Sequence, residues 1–194
     1  LHLVLGDQLD RRAPAIESLD PAHDAILMME LDEESRHVPS HRARSALFIA
    51  AMRHFASDMG DRGLPLRYVR LDDPDNTHSF EGELQRALRE LAPDEVSVLL
   101  PGEWRVLRSL ERATSAAGVS LALLPDEHFY CSPEEFAEWA KGRKELVLEH
   151  FYRWQRKRFD VLMDGREPEG GRWNFDAENR QRFKSAPAPP PPYQ

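Results

Sequence analysis

The chain has 194 residues, 41% of them hydrophobic and 31% charged, with a mean hydropathy of -0.61; that is enough for one ordinary domain with an appendage. Twenty-six Lys and Arg against 34 Asp and Glu give a net charge of -8, which excludes a wholly basic nucleic-acid coat but not a local basic face. The single cysteine, Cys131, excludes an internal disulfide, a Cys-based metal site or an iron–sulfur cluster within this chain, and no apolar run reaches the ~18 residues of a membrane span, so a cytoplasmic protein with no membrane partner is expected.

The N-terminal stretch Leu1-His2-Leu3-Val4-Leu5-Gly6 lacks a basic n-region and reads as a strand rather than a signal peptide. Short apolar runs follow at Ala25–Leu31, Leu66–Leu71, Glu95–Leu100 and Ser120–Leu124. Most lack polar alternation, as strands buried on both faces do. Amphipathic segments separate them. Ser40–Met59 carries Ala43, Ala46, Leu47, Ala50, Ala51 and Phe55 at three- and four-residue steps, predicting a helix with that face inward. Ser79–Leu91 starts at a Ser N-cap and stops before Pro93; Glu103–Ala117 ends at Gly118, a natural C-cap. Between the first two strands, Pro14 leaves room for a short helix only.

This β-α alternation predicts an α/β fold, a Rossmann-like five-stranded parallel sheet of order 3-2-1-4-5 with helices on both faces. Ligands of such sheets sit at the carboxyl ends of the strands, at the switch point between strands 1 and 4. The loops Gly6-Asp7-Gln8 and Pro101-Gly102-Glu103-Trp104 fall there. After residue 130 the alternation stops. Residues 131–165 read as a helical extension, with a helix from Ser132-Pro133 through Ala140 and another from about Lys144 to Met163. Residues 166–194 read as loop ending in the proline-rich spacer Ala186–Pro192, which cannot build a core.

No GxGxxG follows Gly6 and no P-loop occurs, so neither standard phosphate cradle is present. Four carboxylates crowd the run Glu30-Leu31-Asp32-Glu33-Glu34; the choice is between a solvated loop and acceptors for the hydroxyls of a sugar or ribityl chain. His37 and His41 flank Pro39 and are weak support for a metal. Lys141, Arg143, Lys144, Arg153, Arg156, Lys157 and Arg158 alternate with Phe151, Tyr152, Trp154 and Phe159. Nucleic-acid contact and docking on another domain both fit; the aromatic spacing favours docking. No Ser/His/Asp or Cys/His grouping forms a local nucleophile motif, and no catalytic residue is assigned.

Several motifs occur together: Leu5-Gly6-Asp7-Gln8-Leu9, Ala51-Met52-Arg53-His54-Phe55, Pro101-Gly102-Glu103-Trp104-Arg105-Val106, Gly142-Arg143-Lys144 and Gly170-Gly171-Arg172-Trp173-Asn174-Phe175-Asp176-Ala177-Glu178-Asn179-Arg180. In these the chain resembles the deoxyribodipyrimidine photolyase-related proteins, the bacterial iron–sulfur photolyases and cryptochromes, from Leu1 to about Arg180. The resemblance implies that residues 1–130 are a Rossmann-like antenna domain for 6,7-dimethyl-8-ribityllumazine. It implies that FAD, the [4Fe-4S] cluster and the pocket for damaged DNA belong to a C-terminal flavin domain, a partner absent from this chain. The chain alone is then expected to be catalytically silent, whereas the parent resembles a (6-4) DNA photolyase or a blue-light receptor. Pocket roles carry over to Gly6, Asp7, Glu34, Phe48, Gly102 and Glu103. The residues themselves add Gln8 as a further acceptor and Met52, one turn from Phe48, as ring packing, with close backbone approach at Gly6 and Gly102. The competing readings are a stand-alone Rossmann-like nucleotide-binding or regulatory module, and a nucleic-acid-binding module using the basic helix.

Overall fold

The computed structural model describes residues 1–37 and 39–176, without the side chains of Glu34, Ser35 and His37. Contacts divide the chain into two units, Leu1–Phe129 and a second beginning at Tyr130.

In the first unit the apolar runs pair as parallel strands. They are β1 (His2–Leu3), β2 (Ile26–Met29), β3 (Leu66–Val69), β4 (Glu95–Leu99) and β5 (Ser120–Leu124). Their order is β3-β2-β1-β4-β5, the order the alternation predicts. Leu3 faces Leu27 on one side and Val98 on the other, so β1 is the centre of the sheet and β1–β4 its switch point. Alternate side chains enter opposite faces, and each face has its own aliphatic core. On one, Leu27, Val96 and Val98 pack beneath Leu84 and Leu88 of α4 (Phe80–Leu91) and Leu110 of α5 (Trp104–Ala117). On the other, Val4, Ile26 and Met28 pack beneath Ile16 of the short α1 (Pro14–Glu17) and Met52, Phe55 and Met59 of α3 (Arg42–Asp61).

The caps explain the helix ends. Ser79 accepts from Gly82 N at 3.1 Å, and Gly118 closes α5 in the left-handed region with φ 70°. Two expectations fail here. The acidic stretch after β2 is not a loop but a helix, α2 (Asp32–His37), whose first turn tolerates carboxylates beside unpaired N–H groups. In α3 the anticipated inward face is half wrong. Met52, Phe55, Ala56 and Met59 are buried, but Ala43, Ala46, Leu47, Ala50 and Ala51 are exposed, Leu47 by 72%. Periodicity reports an apolar stripe; it does not report that the sheet runs out beneath it. The N-terminal half of this 20-residue helix overhangs the strand ends.

The second unit has α6 (Pro133–Ala140) and α7 (Leu148–Phe159), the latter shorter at both ends than predicted. Ser132 and Glu135 form a reciprocal capping box. Beyond α7 the chain is not wholly loop: β6 (Met163–Asp164) pairs antiparallel with β7 (Glu167–Pro168). Residues 177–194, with the proline-rich spacer, lie outside the described residues. Among the described residues no helix is long and apolar enough to cross a membrane.

Candidate functional site

The loops after β1, β2 and β4 and the overhanging half of α3 enclose a cavity of about 380 Å³ at the switch point. Gly6, Asp7, Phe48, Met52, Gly102 and Glu103, all anticipated from sequence, line it together. The backbone of Gly6 lies under the Phe48 ring and Met52; a Cβ there would overlap the ring and stand 3.0 Å from Met52 Sδ, so any larger residue would force the Phe48 ring to move. Gly102 is different. A Cβ there meets no protein atom within 4 Å, so close packing within the chain does not require glycine.

Gln8 is not in the cavity wall. Its Nε2 donates to Leu99 O at 3.0 Å, a buried bond that pins the turn after β1 to the end of β4. Glu34 belongs to α2, and its side chain lies outside the described residues. Glu103 is not a free acceptor: Arg105 Nη2 donates to it at 3.0 Å, while Arg105 Nη1 donates to Glu33 at 3.0 Å. Glu33 also accepts from Phe80 N, at the start of α4. Arg105 thereby ties α2 to the loop after β4 at the cavity wall. The Asp7 carboxylate is exposed and unpaired among the described residues.

Sequence reasoning overlooked Glu30, Arg53 and Tyr68. Glu30 sits in the cavity wall with its side chain fully buried. Arg53 donates to it twice, from Nε at 2.6 Å and Nη2 at 2.8 Å. Tyr68 Oη donates at 2.7 Å and Leu71 N at 2.8 Å. Burial pushes the Glu30 pKa up, but these hydrogen bonds outweigh it and hold it below the ordinary carboxylate value. Burial and the Glu30 carboxylate both push the Tyr68 phenol upward. A buried carboxylate needs a cation or other donors, but nothing next to Glu30 in the sequence marks it as the buried one among four acids.

His41 is a helix cap, with Nδ1 accepting from Ala43 N at 3.2 Å, and the His37 side chain lies outside the described residues. In the second unit the basic cluster is largely spent internally. Arg153 pairs with Glu149 and Arg158 with Glu135. Arg156 is buried and donates to the carbonyls of Val161 and Leu162. Arg143 stacks 4.4 Å over Trp139, and Lys157 lies 5.3 Å from the Trp173 ring. Phe136, Trp139, Phe151 and Trp154 pack on one another with centroids 5.0–6.3 Å apart. The aromatic stripe of α7 therefore has partners inside its own unit.

Comparison with known proteins places these features in a family. A family model described as deoxyribodipyrimidine photo-lyase-related protein matches residues 2–194. A (6-4) photolyase of Agrobacterium fabrum strain C58 is 44% identical over 181 residues, 93% of this chain. The match covers 36% of that protein's length, so the chain spans about a third of it. An uncharacterized protein, R852, of Acanthamoeba polyphaga mimivirus is 48% identical over 42 residues, 21% of each chain.

Proposed function

The chain belongs to the deoxyribodipyrimidine photolyase-related protein family, and from that premise we propose that its first unit is the light-harvesting domain of a cytoplasmic photolyase-related flavoprotein. The ligand proposed for the cavity is 6,7-dimethyl-8-ribityllumazine. When bound, it supplies absorption in the violet and resonance transfer of the excitation to FAD. The flavin, a [4Fe-4S] cluster and the contact with damaged DNA belong, in this reading, to a C-terminal domain of the full-length parent.

The observation that carries the reading is the cavity itself. Its 380 Å³ lies within the ~300–1,000 Å³ of small-molecule sites, and its walls divide by chemistry. Phe48, Met52 and Val106 offer apolar surface for a flat ring. Asp7, Ser40 and Ser45 offer acceptors and hydroxyls for a polyol. Energy transfer needs position and orientation only, so no acid, base or nucleophile is required of these residues. They bind, orient and exclude water.

Fluorescence titration of the purified chain with 6,7-dimethyl-8-ribityllumazine tests this. One saturable site is expected. Asp7→Ala should weaken affinity by roughly three- to tenfold, the loss of one hydrogen bond, without altering the far-ultraviolet circular dichroism. No saturable binding, or unchanged affinity in the variant, overturns the assignment of this cavity.

A further inference from the structure

Two observations meet at Glu30. The first is saturation. Each oxygen of its carboxylate already accepts two bonds, Oε1 from Arg53 Nε and Tyr68 Oη, Oε2 from Arg53 Nη2 and Leu71 N. A carboxylate offers about four lone-pair sites, and four donors fill them. Although Glu30 lies in the cavity wall, it has no acceptor left for a ligand hydroxyl.

The second is the overhang of α3. From Met52 onward the helix is seated on the sheet through Met52, Phe55, Ala56 and Met59. From Arg42 to Ala51 no residue is buried, yet this half supplies Arg44, Ser45, Phe48 and Ile49 to the cavity. Arg53 stands at the junction. Its planar fork takes both Glu30 oxygens, which fixes direction as well as distance. Tyr68 on β3 and Leu71 just beyond it hold the same carboxylate, so one buried group ties the end of β2, the end of β3 and α3.

We propose that Glu30 is a positioning residue for the ligand site: through Arg53 it sets where the overhanging half of α3 stands, and so fixes the wall that carries Phe48. It does this without touching the ligand. The inference rests on reading the cavity as a ligand site, but the placement of the helix can be measured without any ligand.

The test compares the wild-type chain with Glu30→Gln and Tyr68→Phe. Hydrogen exchange is followed over residues 42–51, and 6,7-dimethyl-8-ribityllumazine is titrated with its fluorescence anisotropy read at saturation. Glu30→Gln should speed exchange in 42–51 while β1, β2 and β4 keep wild-type protection. It should weaken lumazine affinity about tenfold, as coupling within one network does, and lower the anisotropy of the bound ligand. Tyr68→Phe, which leaves the Arg53 fork in place, should move each readout less. If Glu30→Gln does not fold, Arg53→Lys carries the same test, because it keeps the charge and loses the fork. Unchanged exchange in 42–51 overturns the proposal, whatever happens to binding. A wild-type chain that binds no lumazine defeats the ligand reading instead, and the exchange measurement still decides what Glu30 does.

Discussion

The two units of this chain are held together by different chemistry. The first has two largely aliphatic cores, each with a single phenylalanine, one on each face of a parallel sheet, and it carries 14 Lys and Arg against 23 Asp and Glu. The second, in its described part, has no sheet of more than two strands. Its helices meet through Phe136, Trp139, Phe151 and Trp154, with Arg143 and Arg158 stacked over the two tryptophans. An aliphatic core tolerates many side-chain arrangements of the right volume. An aromatic and cation–π cluster depends on a few rings in particular orientations. The difference predicts where single substitutions are felt most.

The largest effect is expected at Trp139, which is 7% exposed and touches three other rings. Trp139→Ala should destabilise the second unit by about 4 kcal/mol, read as loss of hydrogen-exchange protection in 133–159. Trp139→Phe should cost far less. It keeps most of the ring contacts and removes Nε1, a buried donor with no partner among the described residues. Equal damage from both variants would mean that the full indole volume, and not an aromatic ring as such, is what the site requires. In the first unit Leu110→Ala, at a fully buried site in one of two cores, should cost about 3 kcal/mol by urea denaturation. A larger loss at Leu110 than at Trp139 would reverse the comparison.

The same contrast governed what could be read in advance. In the first unit strand number and order were legible, as were the N-caps Ser79 and Ser132 and the stop at Gly118, because these rest on periodicity or on an unpaired backbone group; the short β6–β7 pair of the second unit was not. The cavity loops were legible from the switch point of the sheet. Glu30 was not, because in sequence it is one acid among four, and its partners Arg53 and Tyr68 are 23 and 38 residues away. The exposure of Leu47 was not, because a periodic stripe carries no information about how far the sheet extends. In the second unit the basic run looked like a surface for a partner. Lys141 meets Glu138 three residues before it, but the counter-charge of Arg158 is Glu135 of α6, 23 residues away, so only the tertiary fold reveals that Arg158 is already paired.

A smaller effect, with a distinctive pH signature, is expected at the hinge of α3. Glu30→Gln should cost about 2 kcal/mol at pH 7, the loss of charge-assisted hydrogen bonds, because Arg53 is 42% exposed and can rehydrate when its partner is gone. The pKa of Glu30 in the fold lies below its ordinary value of 4.5, so the unfolded chain takes up the proton first on acidification. The stability Glu30 contributes is therefore full above about pH 4.5 and fades as pH falls through its lowered pKa. Urea midpoints of wild type and variant should converge as pH drops below that value. A gap that stays constant down to pH 3 would show that the carboxylate charge contributes nothing to holding α3.

The smallest effect compares one cap from each unit. Ser79 starts α4 alone: its hydroxyl accepts from Gly82 N, and glycine at that third position has no side chain to reply. Ser132 starts α6 in a closed pair. Its hydroxyl accepts from Glu135 N at 3.2 Å, and Glu135 accepts from Ser132 N at 2.9 Å. The other oxygen of Glu135 takes the guanidinium of Arg158 at the end of α7, which lowers the Glu135 pKa and joins the start of one helix to the end of the other. Ser79→Ala should cost about 1 kcal/mol, an ordinary cap. Ser132→Ala should cost somewhat more than Ser79→Ala, because the variant also loosens the carboxylate that holds Arg158. Glu135→Gln separates the contributions. It keeps an acceptor for Ser132 N, so α6 should still start at Pro133, but it weakens the tie to α7. Thermal melts in low and high salt read the difference: the cost of Glu135→Gln should shrink as salt rises, and that of Ser79→Ala should not. If both respond to salt alike, the Glu135–Arg158 pair adds nothing to the cap.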